Sequence, residues 1–242
     1  MKGYESAFDL TLPARMPMIV RVDGKAFHSY TLGLTRPWDD TFISVMNDTA
    51  VALCEEIQGA RLAYVQSDEI SILLVDYAQL NTQAWMRGRL QKVVSVAAGL
   101  ASSRFTWASW RMHADGMARH AAFDARAFVL PREDVNNYFL WRQQDATRNS
   151  MQMLARSLYS HKECFQKDNA ELQEMCFQRG QNWNDLPTSR RRGRVVKRTT
   201  WRGTHDGPEG LPIYFERSRW EVDNEPPIFS QDPAYVQAMV SP

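Results

Sequence analysis

ARLAYVQSDEISILLV, residues 60–75, decides the fold. Two runs rich in apolar, β-prone residues flank Ser67-Asp68-Glu69, and this pattern predicts a tight β-hairpin with an acidic tip. Upstream, MPMIVRV at residues 16–22 is equally dense in branched apolar residues and stops at Asp23-Gly24, which predicts a buried strand ending in a turn. Between these strands, Phe42, Val45, Met46, Thr49, Leu53 and Ile57 recur at helical spacing. A second helix is expected over roughly Thr82 to Ser103, followed by strand character in AAFDARAFVL at residues 121–130. The order β-α-β-β-α-β is that of the ferredoxin-like split motif, an α/β (α+β) fold. In it the first and third strands are antiparallel neighbours at the sheet centre, so Asp23 and Asp68 converge.

Converging carboxylates at strand ends suit Mg²⁺, which takes oxygen ligands at about 2.0–2.1 Å from one or two carboxylates, waters and substrate phosphates. Two carboxylates can also bridge a pair of ions about 3.5–4 Å apart and clamp an in-line displacement at phosphorus. Gly24 has no side chain in the way, its carbonyl offers a further ligand, and the neighbouring N–H groups can face a triphosphate. Either motif alone reads as well as an ordinary turn; the pair favours the metal reading.

RVDGKAFH (21–28), RPWD (36–39), YVQSDEIS (64–71), FDAR (123–126) and WRQQDATRNS (141–150) resemble, in order and spacing, the tRNA-histidine guanylyltransferase superfamily. The resemblance covers roughly residues 1–155 well and the remainder weakly. It implies a polymerase-type palm with two Mg²⁺ ions, ATP or GTP activation of an RNA 5′ end, attack by the 3′-hydroxyl of an incoming nucleoside triphosphate, and a homotetramer. By position, Asp23 and Asp68 match the catalytic metal carboxylates and Gly24 the backbone metal ligand. Lys25, Ala26, Phe27, His28 and Ser67 fall where the family wraps the nucleotide triphosphate. Arg36, before Pro-x-Asp, and Lys92, in the second helix, are candidate phosphate contacts.

After WRQQD the histidine-specific enzymes continue His-Ile-Asn-Asn-Leu-Tyr-Asn, whereas this chain reads Thr147-Arg148-Asn149-Ser150-Met151-Gln152-Met153. Only Asn149 matches. The chain therefore looks more like the guanylyltransferase-like branch, which implies template-dependent 3′-to-5′ repair of 5′-truncated tRNA. Addition of G to histidine tRNA is the alternative. A two-metal nucleotide cyclase and a catalytically silent RNA-binding module are weaker ones.

The organisation expected is a palm-type catalytic domain over residues 1–132 and a helical, fingers-like region with a basic β-hairpin over 133–242. The hairpin is read in SRRRGRVVKRTTWR (189–202), where Arg190, Arg191, Arg192, Arg194, Lys197, Arg198 and Arg202 cluster. Such clusters dominate nucleic-acid affinity by neutralising phosphates. Residues 134–180 read as mainly helical, with Val135, Phe139, Leu140, Trp141, Met151, Leu154, Leu158 and Phe165 on packed faces and Arg142, Gln143, Asp145 and Asn149 toward RNA or nucleotide. Pro226-Pro227 argues against regular structure in the tail.

A net charge of +1 says nothing for RNA by itself, because distribution matters more than the sum. Cys54, Cys164 and Cys176 form neither a disulfide frame nor a zinc pattern, which fits a reducing, cytoplasmic location. No apolar run approaches the roughly 18 residues of a membrane span.

Overall fold

In the computed structural model, which describes residues 1–112, 120–206 and 212–241, one six-stranded sheet organises the chain in the order β4-β1-β3-β2-β5-β6. Helices and strands follow as α1 (Lys2–Ser6), β1 (Met18–Gly24), α2 (Phe27–Tyr30), α3 (Asp40–Glu56), β2 (Ala60–Gln66), β3 (Glu69–Leu74), α4 (Leu90–Met112), β4 (Phe123–Val129), α5 (Val135–Leu158), α6 (His161–Cys164), α7 (Asn169–Gln178), α8 (Thr188–Arg192), β5 (Arg194–Asp206), β6 (Pro212–Asp223) and α9 (Pro233–Val240). The first four strands have the ferredoxin-like order, with β1 antiparallel to both β3 and β4.

The runs in β1 and β3 are nearly continuously apolar because both faces of the sheet are covered. Val20, Val22, Ile70 and Ile72 pack toward α3 and α4, whereas Ile19, Leu73 and Tyr64 pack with Val135 and Phe139 of α5. Each of these side chains is fully buried, and burying one aliphatic side chain is worth about 1.5–3 kcal/mol. Helix α3 starts where Asp39 accepts the Phe42 N–H at 2.8 Å, a capping contact that satisfies a free donor of the first turn.

Helix α4 departs from the expected Thr82–Ser103: it begins at Leu90 and reaches Met112. Met86, Arg87 and Gly88 adopt left-handed conformations, and the N-terminal arm takes the backbone groups a longer helix would use. Leu12 donates to the Gly88 carbonyl and Leu90 to the Leu10 carbonyl, each at 2.8 Å. From there Val93, Ala97, Ala101, Phe105 and Ala108 form the buried stripe.

The arginine-rich stretch also differs from the expected hairpin within 189–202. Arg190, Arg191 and Arg192 lie on α8, and β5 pairs along its length with β6 rather than folding back on itself. Val195 and Val196 point to opposite faces of the sheet, each fully buried, because the root of β5 pairs with Leu62–Val65 of β2. From Arg198 to Asp206 the β5–β6 ribbon runs past that pairing, about 30 Å at 3.3 Å per residue.

Phe165 and Trp141, expected on packed faces, are 62% and 47% exposed. The tail is irregular at Pro226-Pro227, but Phe229 plugs into the core and α9 follows, capped by Asp232.

Gly193 joins α8 to β5 at φ +78°, and a Cβ there would meet the Tyr64 hydroxyl at 2.6 Å and the Val65 carbonyl at 2.7 Å. Gly193→Ala is expected to destabilise the protein by about 1–3 kcal/mol, read as a lowered urea midpoint with an unchanged m-value.

Candidate active site

The end of β1 and the tip of the β2–β3 hairpin are joined by one hydrogen bond, from the Gly24 N–H to the Asp68 carbonyl at 3.1 Å. Asp23 faces Glu69 across β3 and Asp124 across β4, so four carboxylates gather at this edge. The tip is tight, with Ser67 at φ 46°. Gly24 is required by packing: a Cβ would lie 2.3 Å from the Phe27 ring.

The four acids are treated differently. Glu69 is buried and neutralised, its two oxygens taken by Arg142 Nε and an Arg142 terminal nitrogen at 2.8 Å each. That same nitrogen reaches Asp145 at 2.8 Å, and the Arg142 guanidinium lies against the exposed Trp141 ring. By contrast, none of the ion pairs among the described residues includes Asp23, Asp68 or Asp124. Burial pushes the Asp23 carboxyl above its ordinary range and Asp124 adds to this, partly offset by Arg21, Arg126 and Arg142. Asp68 is also pushed up, first by burial and then by Asp23 and Glu69, against hydrogen bonds from its own backbone and Ser67. Two adjacent carboxylates left without a cationic partner fit a divalent cation. Among the described residues no group of three or more His, Cys, Asp or Glu side chains is set to hold a metal, so a cation here would draw on the two carboxylates, the Gly24 carbonyl and a ligand's own oxygens.

The turn after Gly24 is anchored by Phe27, which is buried in an aromatic cluster with Tyr30, Phe42, Phe105 and Phe123. Its ring is therefore turned away from any ligand, leaving Phe27 only a backbone contribution. Lys25 and Ala26 are exposed, Ala26 in the left-handed region at φ 57°. A cleft of about 440 Å³ opens beside the hairpin tip, and His28, Arg36 and Ser67 all line it, together with Trp38, Asn149 and Arg194. Lys92 is not brought there. It lies near the start of α4, beside Gln91, whose side-chain amide donates to the Phe8 carbonyl of the N-terminal arm, and about 15 Å along the helix from Ser102, whose hydroxyl accepts the Phe123 N–H next to Gly24.

Residues left between RNA and nucleotide roles now separate. Arg142 is buried by Glu69, and Gln143 is buried by the tail, donating to the Pro227 carbonyl and accepting from the Phe229 N–H. Asp145 holds Arg142 and Arg148; Asn149 alone reaches the cleft. The sequence reading missed the Glu69–Arg142 pair and the buried Arg194. The one local clue to the pair was an Arg within an otherwise packed helical face.

A family model described as tRNAHis guanylyltransferase (Thg1) matches residues 1–131. A probable tRNA(His) guanylyltransferase of Drosophila melanogaster is 30% identical over 214 residues, 82% of this chain and 72% of that protein. Among solved structures, a bacterial tRNA(His) guanylyltransferase (Thg1)-like protein in complex with ATP is 41% identical with a TM-score of 0.89, over 99% of this chain and 96% of that one. One in complex with GTP is 40% identical with a TM-score of 0.82, over the same shares.

Arg142→Ala would leave the Glu69 charge buried and unpaired, a class of change that costs about 3–5 kcal/mol. Chemical denaturation should show this loss, with Arg142→Lys intermediate because it cannot make the bidentate contact.

Proposed function

The chain belongs to the tRNAHis guanylyltransferase family, and we propose that within it this nucleotidyltransferase works in the 3′-to-5′ direction on tRNA, repairing 5′-truncated acceptor stems under the direction of the opposite strand. The observation that carries this reading is the Gly24–Asp68 backbone hydrogen bond, which ties the end of β1 to the hairpin tip and brings Asp23 close enough to act on the Asp68 charge, next to Ser67 on the wall of a cleft.

Asp23, Asp68 and the Gly24 carbonyl would hold two Mg²⁺ ions. Bound there, the ions supply Lewis-acid stabilisation of the charge on transferring phosphoryl oxygens. The turn at Lys25–His28 and Ser67 present N–H and hydroxyl donors to the triphosphate, and the cleft seats the purine of the activating ATP or GTP. Bacterial relatives in complex with ATP and with GTP support the binding of either nucleotide. Activation joins the RNA 5′-phosphate oxygen to the α-phosphorus of the nucleotide and expels diphosphate. The 3′-hydroxyl of the incoming nucleotide then attacks the RNA 5′-phosphorus, a new P–O bond forms, and the nucleoside monophosphate leaves. Arg142 acts at a distance, keeping Glu69 and so the tip that carries Asp68 in place.

RNA contact is assigned to the β5–β6 ribbon, where Arg198, Arg217 and Arg219 lie over Trp220, Phe215 and Trp201. Arg–aromatic pairs of this kind combine phosphate neutralisation with stacking surface. The exposed Trp107, Trp110 and Met112 on α4 support the tetramer implied by resemblance. All three cysteines are buried and free, in keeping with a cytoplasmic setting. Among the described residues no helix is long and apolar enough to cross a membrane.

The missing histidine block separates repair from addition of G to histidine tRNA. Truncated tRNAs of several identities, incubated with Mg²⁺, ATP and all four nucleoside triphosphates, are expected to be extended until the acceptor stem is complete. Changing the template base and sequencing the product should change the added nucleotide to its complement. Addition of G whatever the template, or restriction to tRNA with the histidine anticodon, would sink the repair reading.

A further inference from the structure

Beside the cleft, against α5, lies a second hollow of about 150 Å³ whose walls carry Arg156, His161 and Lys167 together with the amides of Gln152 and Gln166. Among the described residues no acid lines it. The acids nearest in sequence are engaged: Glu163 accepts the Ser160 N–H at 2.8 Å and its hydroxyl at 2.6 Å, and Glu171 takes the Asp168 N–H at 2.9 Å and the Lys167 ammonium at 2.7 Å. Arg156 and His161 join no ion pair among the described residues. Phe165 borders the same hollow, is 62% exposed, and holds its ring 6.3 Å from that of His161.

The turn that presents these groups is fixed in place. Lys167 donates its N–H to the Cys164 carbonyl at 3.3 Å, Gln166 takes a left-handed φ of 58°, and Cys164 and Leu172 belong to a buried core shared with α5. An exposed phenylalanine alone is ordinary. Beside unpaired cations in a hollow too small for a duplex, it supplies what one nucleotide of a single strand needs: an aromatic face for the base and positive charge for the phosphate. Arg156 is also a wall of the cleft, so hollow and cleft adjoin across one side chain.

We propose that this hollow binds an unpaired nucleotide of the RNA strand opposite the truncated 5′ end, with the base on Phe165 and the phosphate against Arg156 and His161. A stem with a recessed 5′ end leaves nucleotides of the opposite strand without partners, and their base faces are open to stacking. The hollow thereby holds the overhanging strand beside the cleft, while pairing chooses the nucleotide added. The inference rests on the proposed action on 5′-truncated stems and names the part of the RNA that the hollow takes.

Fluorescence anisotropy of the full chain with three acceptor-stem hairpins tests this: one with a recessed 5′ end and a base-bearing overhang, one with the same overhang made abasic, and one blunt. The wild type should bind the base-bearing overhang about tenfold tighter than the abasic one, within the worth of one stacked base. Phe165→Leu, a change at an exposed position that keeps apolar bulk without a π-face, should remove that preference. Arg156→Gln should lower the log-log salt slope by about 0.7 on both overhangs and leave the slope on blunt RNA unchanged. Equal wild-type affinity for base-bearing and abasic overhangs overturns the inference, as does a Phe165→Leu variant that keeps the preference. Loss of the wild-type preference in excess inorganic phosphate, compared with sodium chloride at equal ionic strength, marks a small-anion site and also overturns it. Tight binding of all three RNAs alike overturns this inference alone, whereas failure to bind any RNA overturns the proposed function with it.

Discussion

The antiparallel register of β1 on β3 is the constraint on which the rest of the structure depends. It opposes Asp23 to Glu69 and lets the Gly24 N–H close onto the Asp68 carbonyl. Because side chains alternate along a strand, a slip of one residue would turn Asp23 toward the helices and Val22 toward the ligand side. The slip is prevented by burial: Ile19, Val20, Val22, Ile70, Ile72 and Leu73 are fully buried on one face or the other. Packing energy thus fixes the position of two acids that contribute none of it.

Charge is distributed around that edge with the same economy. Glu69 is the acid nearest the core, and it is matched by a buried Arg142 with bidentate geometry. Asp23 and Asp68 are left without an ion-pair partner, and burial raises the proton affinity of both, helped by Asp124 at Asp23 and by Asp23 and Glu69 at Asp68. At the other end of the cleft the imbalance is reversed, with Arg194 buried and its affinity for a proton pushed down to about 10 by loss of solvent.

The parts of this picture that were legible in sequence are those written locally. Branched apolar runs, the Asp23-Gly24 stop and the acidic tip at Ser67-Asp68 report strand, turn and hairpin without knowledge of distant residues, and the four-strand order followed from them. The start of α4 was not legible because it is set by Leu10 and Leu12 of an arm some eighty residues away. The partner of Arg142 lies 73 residues upstream, and a helix period cannot tell a buried arginine from a ligand-facing one. Trp141 was read as core for a similar reason, since spacing places it on a packed face while the structure leaves its ring beneath arginines at the surface. In the arginine-rich stretch, composition drew attention away from Gly193, whose left-handed turn separates a short helix from a strand.

The central claim is that Asp23 and Asp68 together hold divalent cations, and Mn²⁺ titration followed by electron paramagnetic resonance, with a non-hydrolysable nucleoside triphosphate present, tests it most directly. The wild type should take up about two ions per chain, and Asp23→Asn and Asp68→Asn should each lose that stoichiometry while circular dichroism shows the fold intact. Wild-type binding of Mn²⁺ by both variants would contradict the account.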